Sequence, residues 1–559
     1  MNGLDWWVLL GTQALILIYG LWSMGHKSGS ENFLRARTQS GWMVGLSIMA
    51  TQASAITFLS APGLAYTQGL GFIQFYLGLP LAMILISAFI LPKYYRLNVY
   101  TAYEFLESRF DGRVRRMAAF LFLTQRGLAA GLTIYAPALI LSTVLNWNLI
   151  WTNLLTGLVV LAYTLSGGSK AVARTQVLQM GIILMGMGLA AWWMLRGLPE
   201  LWSVKDAWDL AALGGKTEAL VWRWNWEDKY SLWTGLLGGG FLMLSYFGTD
   251  QSQVQRYLGG QSLEESRRGL ALNAVFKLPM QLAILMIGVL MYVFYVIEVP
   301  PVNFKYPELE SIEHRNVALQ RRALAMSWQS SSEGLQRDSL AKALIVSNHN
   351  LDSIRMASQS QRAKAAPQGD FNDTNFIFIR YVLNHLPVGL VGLLISMVFC
   401  ASMSSTSAEL SALSTTTLVD FYTRKAGHKE FMESPKAVTM GRWFTLAWGF
   451  YAIGFAMVAQ HLGTLIEAVN VLGSLVYGTI LGIFLTAFFT QSVGSTAVLL
   501  AALGTELLVL FMFWGMDVPY LWLNIVGALS VPILSLVWEF WMSKVSSRSS
   551  FKSRTNLGP

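Results

Sequence analysis

The chain has 559 residues, 54% of them apolar and 13% charged, with a formal net charge of +9 and one cysteine, Cys400. An ordinary soluble domain is roughly 25% charged, so a soluble globular protein is excluded. A single thiol also excludes an internal disulfide framework or a zinc cluster built on several thiolates.

Apolar runs long enough to cross a bilayer recur along the chain and predict about 13 helices in one all-α polytopic membrane domain, residues 1–559. The first, 6–24, is not preceded by the basic residues of a signal peptide and is expected to be retained as an extra N-terminal helix. The next five are 41–66, 72–91, 117–144, 149–165 and 172–195. A second group comprises 232–254, 271–297, 388–419, 437–459 and 465–489, followed by a C-terminal pair at 497–515 and 520–542.

Short cytoplasmic loops carry an excess of Lys and Arg. With the N-terminus outside and the C-terminus in the cytoplasm, 24 of the 40 cationic residues fall inside, among them Lys27, Arg35, Arg37, Lys93, Arg115, Lys277, Arg424 and Lys425. None falls in the short outside connections 67–71, 146–148, 460–464 and 516–519. On this count only Arg126 lies deep within a span. The longer outside segment 298–375 is polar, with apolar residues recurring at Leu340, Leu344, Ile345 and Leu351. It reads as external amphipathic helices, with partial disorder as the competing reading.

The centre of the span 41–66, Ala50-Thr51-Gln52-Ala53-Ser54-Ala55, is too small and polar for a lipid-facing helix. An unsatisfied polar group in hydrocarbon costs several kcal/mol, so the helix is expected to loosen here and offer backbone carbonyls to an ion. The span 388–419 matches it with the run FCASMSSTSAELSALSTTTLVDFY, in which Ser404 and Ser405 are adjacent and Ala401 lies nearly one turn earlier. Two hydroxyls and one carbonyl from this helix, with two carbonyls from the loosened one, would give a small hard cation five oxygens. Close packing of helices through small residues is the competing reading.

These two spans resemble the sodium:solute symporter family, as do Thr249-Asp250-Gln251-Ser252-Gln253-Val254-Gln255-Arg256-Tyr257-Leu258, the run TAYEFLESRF after Tyr100, and Gly473-Ser474. The resemblance implies the leucine-transporter fold. With the span 41–66 counted as helix 1, helices 1–5 (42–195) and 6–10 (232–489) would be inverted repeats, with helices 1 and 6 broken near the midplane. It implies sodium as coupling ion, held by the carbonyls of Ala50, Ala53 and Ala401 and the hydroxyls of Ser404 and Ser405. One departure from the family is Gln176, where many members carry an Asp. A neutral amide gives no counter-charge, so weaker sodium binding is expected.

The resemblance places a solute cavity beside the two breaks, with Gln52, Ile56, Thr57, Gln74, Tyr76, Tyr246 and Phe247 as candidates. Sugar-carrying relatives have a polar pair where Ile56-Thr57 stands, which argues against a polyhydroxylated sugar, and Tyr246 is a candidate gate toward the cytoplasm. Arg126 lies about nine residues beyond Met117, roughly 14 Å into its span, and an intramembrane Arg normally faces a partner or a wet cavity. It either reads a solute carboxylate or pairs with Glu409, the pairing being favoured. Glu467 and Asn470 form a further polar face, and Asp250 is a cap or a gate.

The resulting expectation is a multi-pass protein of the cell membrane that moves sodium and a small organic solute, anionic if Arg126 reads it, inward by alternating access, without nucleic acid or an obligatory oligomer. A solute sensor without net transport is the alternative; it would need an output domain, whereas 17 residues follow Met542. Enzyme chemistry lacks parts. Gly215-Lys216-Thr217 copies the end of a phosphate-binding loop, but its required first Gly is Leu210, and the six His residues are scattered.

Overall fold

The computed structural model describes residues 1–23, 38–200, 202–309, 311–331, 334–365, 372–423, 428–459 and 462–555. Lys27, Arg35, Arg37, Arg424 and Lys425, assigned above to cytoplasmic loops, lie outside the described residues. The described chain is helical; its one β-type pairing is an isolated bridge between Gln39 and Gly260.

Helix α1 (Gly3–Ser23) is followed by a broken span, α2 (Gly41–Gln52) and α3 (Ala55–Gln68). After α4 (Gly112–Leu145) and α5 (Leu149–Arg196) comes a second broken span, α6 (Gly239–Gly248) and α7 (Gln251–Tyr257), then α8 (Leu263–Ile297). A helical hairpin, α9 (Ile312–Ser330) and α10 (Leu335–Ala365), precedes α11 (Thr374–His385) and α12 (Leu390–Thr416). The chain ends with α13 (Pro435–Ala456), α14 (Leu465–Phe489), α15 (Ser495–Gly515) and α16 (Tyr520–Thr555). Among the described residues nine helices are long and apolar enough to cross a membrane, and Leu149–Leu165 is apolar but shorter.

Three elements depart from expectation. The span 72–91 is a patchwork of a 3₁₀ segment (Gly69–Tyr76), an α-helix (Leu79–Leu85) and a π turn (Ile86–Ile90) leading into Leu91–Leu97. Pro92 cannot donate to the Ala88 carbonyl, and the π turn absorbs that defect.

The spans 149–165 and 172–195 join in one helical stretch of 48 residues, about 72 Å if straight and more than twice the hydrocarbon thickness. The hydroxyls of Tyr163 and Thr175 are nevertheless hydrogen-bonded. Positions that far apart on a straight helix are separated by about 18 Å, beyond the reach of two side chains, so the stretch is sharply bent and still presents two segments.

The third departure is Lys277. It lies within α8, fully buried at 0% exposure, with Nζ 5.5 Å from the Tyr76 ring centroid and no hydrogen-bond partner among the described residues. It is not a loop cation, and Arg126 is not the only cation deep in a span.

The segment 298–375 does form amphipathic helices. In the α9–α10 hairpin Ala325, Trp328, Leu344 and Leu351 are buried, while Ile312, Leu335 and Met356 remain exposed. Arg321 fastens the hairpin by donating from Nη2 to the Tyr295 carbonyl at the end of α8 (2.6 Å), and Arg355 pairs with Asp373 before α11 (2.7 Å). At the same end Asp5 of α1 accepts from the backbone N–H groups of Gly389 and Gly392 at the start of α12, where a carboxylate is favoured.

Helices α3 and α8 approach so closely that a Cβ on Gly288 would lie 2.2 Å from the Pro62 carbonyl oxygen. Gly288→Ala is therefore expected to cost about 1–3 kcal/mol through overpacking, read as a lower midpoint of thermal unfolding in detergent.

A second expectation concerns the hairpin. Burial, reinforced by Arg355 and Arg321, pushes His314 down to about 4, so the folded hairpin favours the neutral imidazole. Its contribution is complete above the ordinary His value of about 6.5 and is lost as pH falls toward 4. Hydrogen-exchange protection factors of α9 and α10, taken against the intrinsic exchange rate at each pH, should fall over that window in the parent protein, and His314→Gln should flatten the response.

Candidate functional site

At the first break, Ala53 (φ −81°, ψ 69°) and Ser54 (φ −74°, ψ 165°) leave helical geometry. The Ser54 N–H turns to the Gln52 carbonyl (3.0 Å) and the Thr57 N–H to the Ser54 carbonyl (3.0 Å). In an unbroken helix these donors would serve the carbonyls of Ala50 and Ala53. Both carbonyls are thereby released inside a buried setting, where Ala50 and Ala53 are at 0% exposure.

Helix α12 supplies the opposing face. Ser404 Oγ donates to the Ala50 carbonyl (3.0 Å) and Ser405 Oγ to the Ala401 carbonyl (2.9 Å). Four of the five expected oxygens are thus linked in pairs, and the released Ala53 carbonyl belongs to the same break.

Gln176 of α5 braces this junction. Its Oε1 accepts from Ser47 Oγ (2.5 Å), and its Nε2 donates to Thr51 Oγ1 (3.0 Å) and to the Ser404 carbonyl (3.2 Å). It joins α2 to α12 beside the expected ion position. The donor set is neutral and all oxygen, which fits a hard cation and not a soft metal; if both hydroxyls rotate, their lone pairs join the three carbonyls as acceptors.

The second break falls at Thr249 and Asp250. Asp250 Oδ1 accepts from the N–H and the hydroxyl of Ser252 (2.8 and 2.6 Å), capping α7. The motif around it meets the TAYEFLESRF segment: Gln251 donates to the Tyr100 carbonyl (2.8 Å) and accepts from the Ala102 N–H (3.0 Å), and Tyr103 donates to the Thr249 carbonyl (3.0 Å). Arg115 and Thr101 then hold Asp420 at the end of α12 (2.6 and 2.9 Å).

A cavity lies between the breaks. Gln52, Ile56, Thr57, Tyr76, Arg126, Tyr246 and Glu409 line it, together with Gln125, Thr133, Asn470 and Tyr477. Two candidates are elsewhere. Gln74 turns its amide to the Tyr230 carbonyl (3.1 Å) and the Val221 N–H (2.8 Å), pinning the loop before α6, because the 3₁₀ segment rotates it away from its neighbour Tyr76. Phe247 is fully buried in the core beside Tyr246.

Arg126 is held from both sides, with four of its five N–H donors engaged. Nη1 donates to Glu409 Oε1 (3.0 Å), Nε and Nη2 to Asp250 Oδ2 (3.0 Å from Nε), and Nη2 also to Tyr477 Oη. Tyr477 Oη in turn donates to Asp250 Oδ2 (2.8 Å), and Thr133 Oγ1 to Glu409 Oε2 (3.0 Å). The expected Arg126–Glu409 pair is present, but Asp250 as second partner and Tyr477 as their bridge were not anticipated. A sequence signal existed for Thr133, two helical turns from Arg126 on one face of α4.

Tyr246 lies with its ring 5.2 Å below the Arg126 guanidinium and accepts from Gln253 Nε2 (2.6 Å). Glu467 does not join the cavity; it accepts from Tyr230 Oη (3.3 Å) and Thr464 Oγ1 (3.1 Å), one turn from Asn470, which does.

Comparison with known proteins identifies the lineage. Over 289 residues the chain is 32% identical to the human sodium/iodide cotransporter, covering 52% of this chain and 44% of that one. It is 28% identical over 488 residues to the sodium-dependent multivitamin transporter of Oryctolagus cuniculus, covering 86% of this chain and 65% of the relative, so it spans less than two thirds of either protein. The sodium/sialic acid symporter SiaT of Proteus mirabilis is 24% identical over 541 residues, covering 95% and 93%.

Among solved structures, the substrate-bound outward-open state of a Na+-coupled sialic acid symporter superposes with a TM-score of 0.75 at 22% identity, covering 96% of this chain and 98% of that one. The two share a fold. The sequence model of the sodium:solute symporter family matches residues 32–318 and 354–504; the chain belongs to that family.

Proposed function

We propose that this protein couples inward movement of sodium to that of a small organic solute across the cell membrane by alternating access. The observation that carries this reading is the junction of the two helices: the break in α2–α3 releases the buried Ala50 and Ala53 carbonyls, and the Ser404 hydroxyl of α12 reaches the Ala50 carbonyl beside the Ser405–Ala401 pair. Family membership and relatives named for sodium-coupled transport of iodide, vitamins and sialic acid support the same coupling ion.

The finer architecture we infer is about 13 crossings, with 42–195 and 232–489 as inverted repeats and the N-terminus outside. Breaks in the first helix of each proposed repeat support it. In this orientation the α9–α10 hairpin is external and the TAYEFLESRF segment cytoplasmic. Tyr246, between the cavity and the second break, is positioned to gate the cytoplasmic side.

Electrical driving force is about 2.3 kcal/mol per elementary charge per 100 mV. The ion's charge needs an opposing charge in this interior, and Gln176 offers none. The cluster of Arg126, Asp250 and Glu409 has one cation against two carboxylates, and Glu409 follows Ser405 by one helical turn. With both acids ionised, the cluster's surplus of one negative charge supplies the counter-charge. A solute carboxylate would meet an Arg126 already engaged by Asp250 and Glu409, and a bidentate contact requires one of them to let go.

Two outcomes test this. In proteoliposomes challenged with lactate, biotin, sialic acid, glucose and proline, at least one solute should accumulate in a sodium-dependent manner, and Ser404→Ala with Ser405→Ala should abolish it while the protein still reaches the membrane. Unchanged sodium dependence would overturn the site. Glu409→Gln, which leaves Arg126 paired with Asp250, should raise the sodium concentration for half-maximal uptake by about tenfold, the effect of one charge removed at some 6 Å under an effective dielectric near 20, partly screened. An unaltered sodium response would dissociate the cluster from the ion.

A further inference from the structure

A second cavity, of about 520 Å³, lies beneath the α9–α10 hairpin, remote from the junction of the broken helices. The end of α3 (Tyr66, Thr67) and Tyr292 of α8 wall one side; the hairpin and the start of α11 wall the other. Three cations line it, all deeply buried: Lys216 at 9% exposure, Arg321 at 3% and Arg355 at 7%. Against them stand two carboxylates, Asp352 on the exposed rim and Asp373. One positive charge is left over.

The polar atoms are incompletely matched in the same sense. Asp373 is engaged by Arg355 Nη2 (2.7 Å), the Phe304 N–H (2.8 Å) and Gln359 Nε2 (3.3 Å). Arg321 uses its Nη atoms on the Tyr295 carbonyl and Asn348 Oδ1 (2.6 and 3.4 Å). Yet Nε of Arg321, Nε of Arg355 and Oη of Tyr292 are buried without a partner among the described residues. Leaving a buried donor unsatisfied costs about 1–3 kcal/mol, more for a charged group. These donors border the cavity without opening into it, and together with the uncancelled charge they make its surroundings favourable to an anion.

We propose that this cavity is a binding site for a small organic carboxylate carrying a single negative charge. A carboxylate suits the planar donors of guanidinium groups, a charge of −1 neutralises the lining, and Tyr66, Tyr292, Leu351 and Met356 offer apolar cover to the rest of the molecule. Arg321, Leu351 and Asp352 belong to 319–353, the stretch between the two segments matched by the family's sequence model. Lys216, Arg355 and Asp373 lie within the matched segments, so the cavity is built jointly by the matched body and the stretch between them, and the proposal does not depend on the transport reading or on which way the protein faces.

The test uses full-length protein in nanodiscs, in sodium-free buffer, in the Ser404→Ala/Ser405→Ala background, so that failure of the ion-coupled reading leaves the result unaffected. Equilibrium dialysis with radiolabelled lactate, benzoate and sialic acid, and with lactamide as neutral control, reads binding directly. At least one carboxylate should bind once per chain and lactamide should not. Arg321→Gln should weaken binding about tenfold or more, as expected for a lost charged hydrogen-bond donor. Asp352→Asn, on the exposed rim where folding is not at risk, should tighten it about two- to fivefold. The proposal is overturned if none of the three acids binds either the background protein or its Asp352→Asn form, if lactamide binds equally well, or if Asp352→Asn leaves affinity unchanged.

Discussion

A peptide carbonyl without a donor is tolerated in the interior of a membrane protein only where something else satisfies it. The break between α2 and α3 creates that condition on purpose, because Ser54 and Thr57 turn their N–H groups to Gln52 and Ser54 and not to Ala50 and Ala53. Much of the surrounding structure follows from the need to hold those carbonyls in place. Ser404 reaches across from α12, Gln176 ties Ser47 and Thr51 to the same helix, and α8 supports the second half of the broken span through the close approach at Gly288.

The second break carries charge where the first carries neutral oxygen. Asp250 caps α7 with one oxygen and holds Arg126 with the other, so the start of that short helix and the guanidinium cannot move independently. Because Gln251 and Thr249 are also bonded to the Tyr100–Tyr103 stretch, a displacement of α7 is felt at the segment that contacts the end of α12 through Asp420. Both ends of α12 are thus held by carboxylates, Asp5 at its start and Asp420 beyond its last turn, while its middle bears Ser404, Ser405 and Glu409.

How much of this was legible depends on whether the information is local. Small polar residues at 50–55 and 401–405 stand out because lipid would not tolerate them, and the ends of α14 coincide with the apolar run 465–489. The Arg126–Asp250 pair spans 124 residues, and nothing in either local stretch states which way α4 faces. Gln74 and Phe247 each neighbour a true cavity residue, Tyr76 and Tyr246; hydropathy locates a span but not its rotation, and a 3₁₀ turn changes that rotation again. Lys277 illustrates the same limit, since a positive charge near the end of an apolar run reads as a loop residue until the helix is seen to begin at Leu263.

Electrostatics gives the two breaks one logic. A cation placed among the five proposed neutral oxygens would be held by dipoles alone, and in a low-dielectric interior its full charge would be felt along α12, where the next polar residue on the same face is Glu409. The cluster at Arg126 has donors enough for both carboxylates but only one positive charge, so with both acids ionised each carboxylate is hydrogen-bonded while one negative charge is left over. An added cation closes the sum, and an added anion worsens it. On the proposed ion assignment, an acidic solute arriving alone would compete with the carboxylates already on Arg126, whereas one arriving after the ion would meet a neutral field, which would favour the ion binding first.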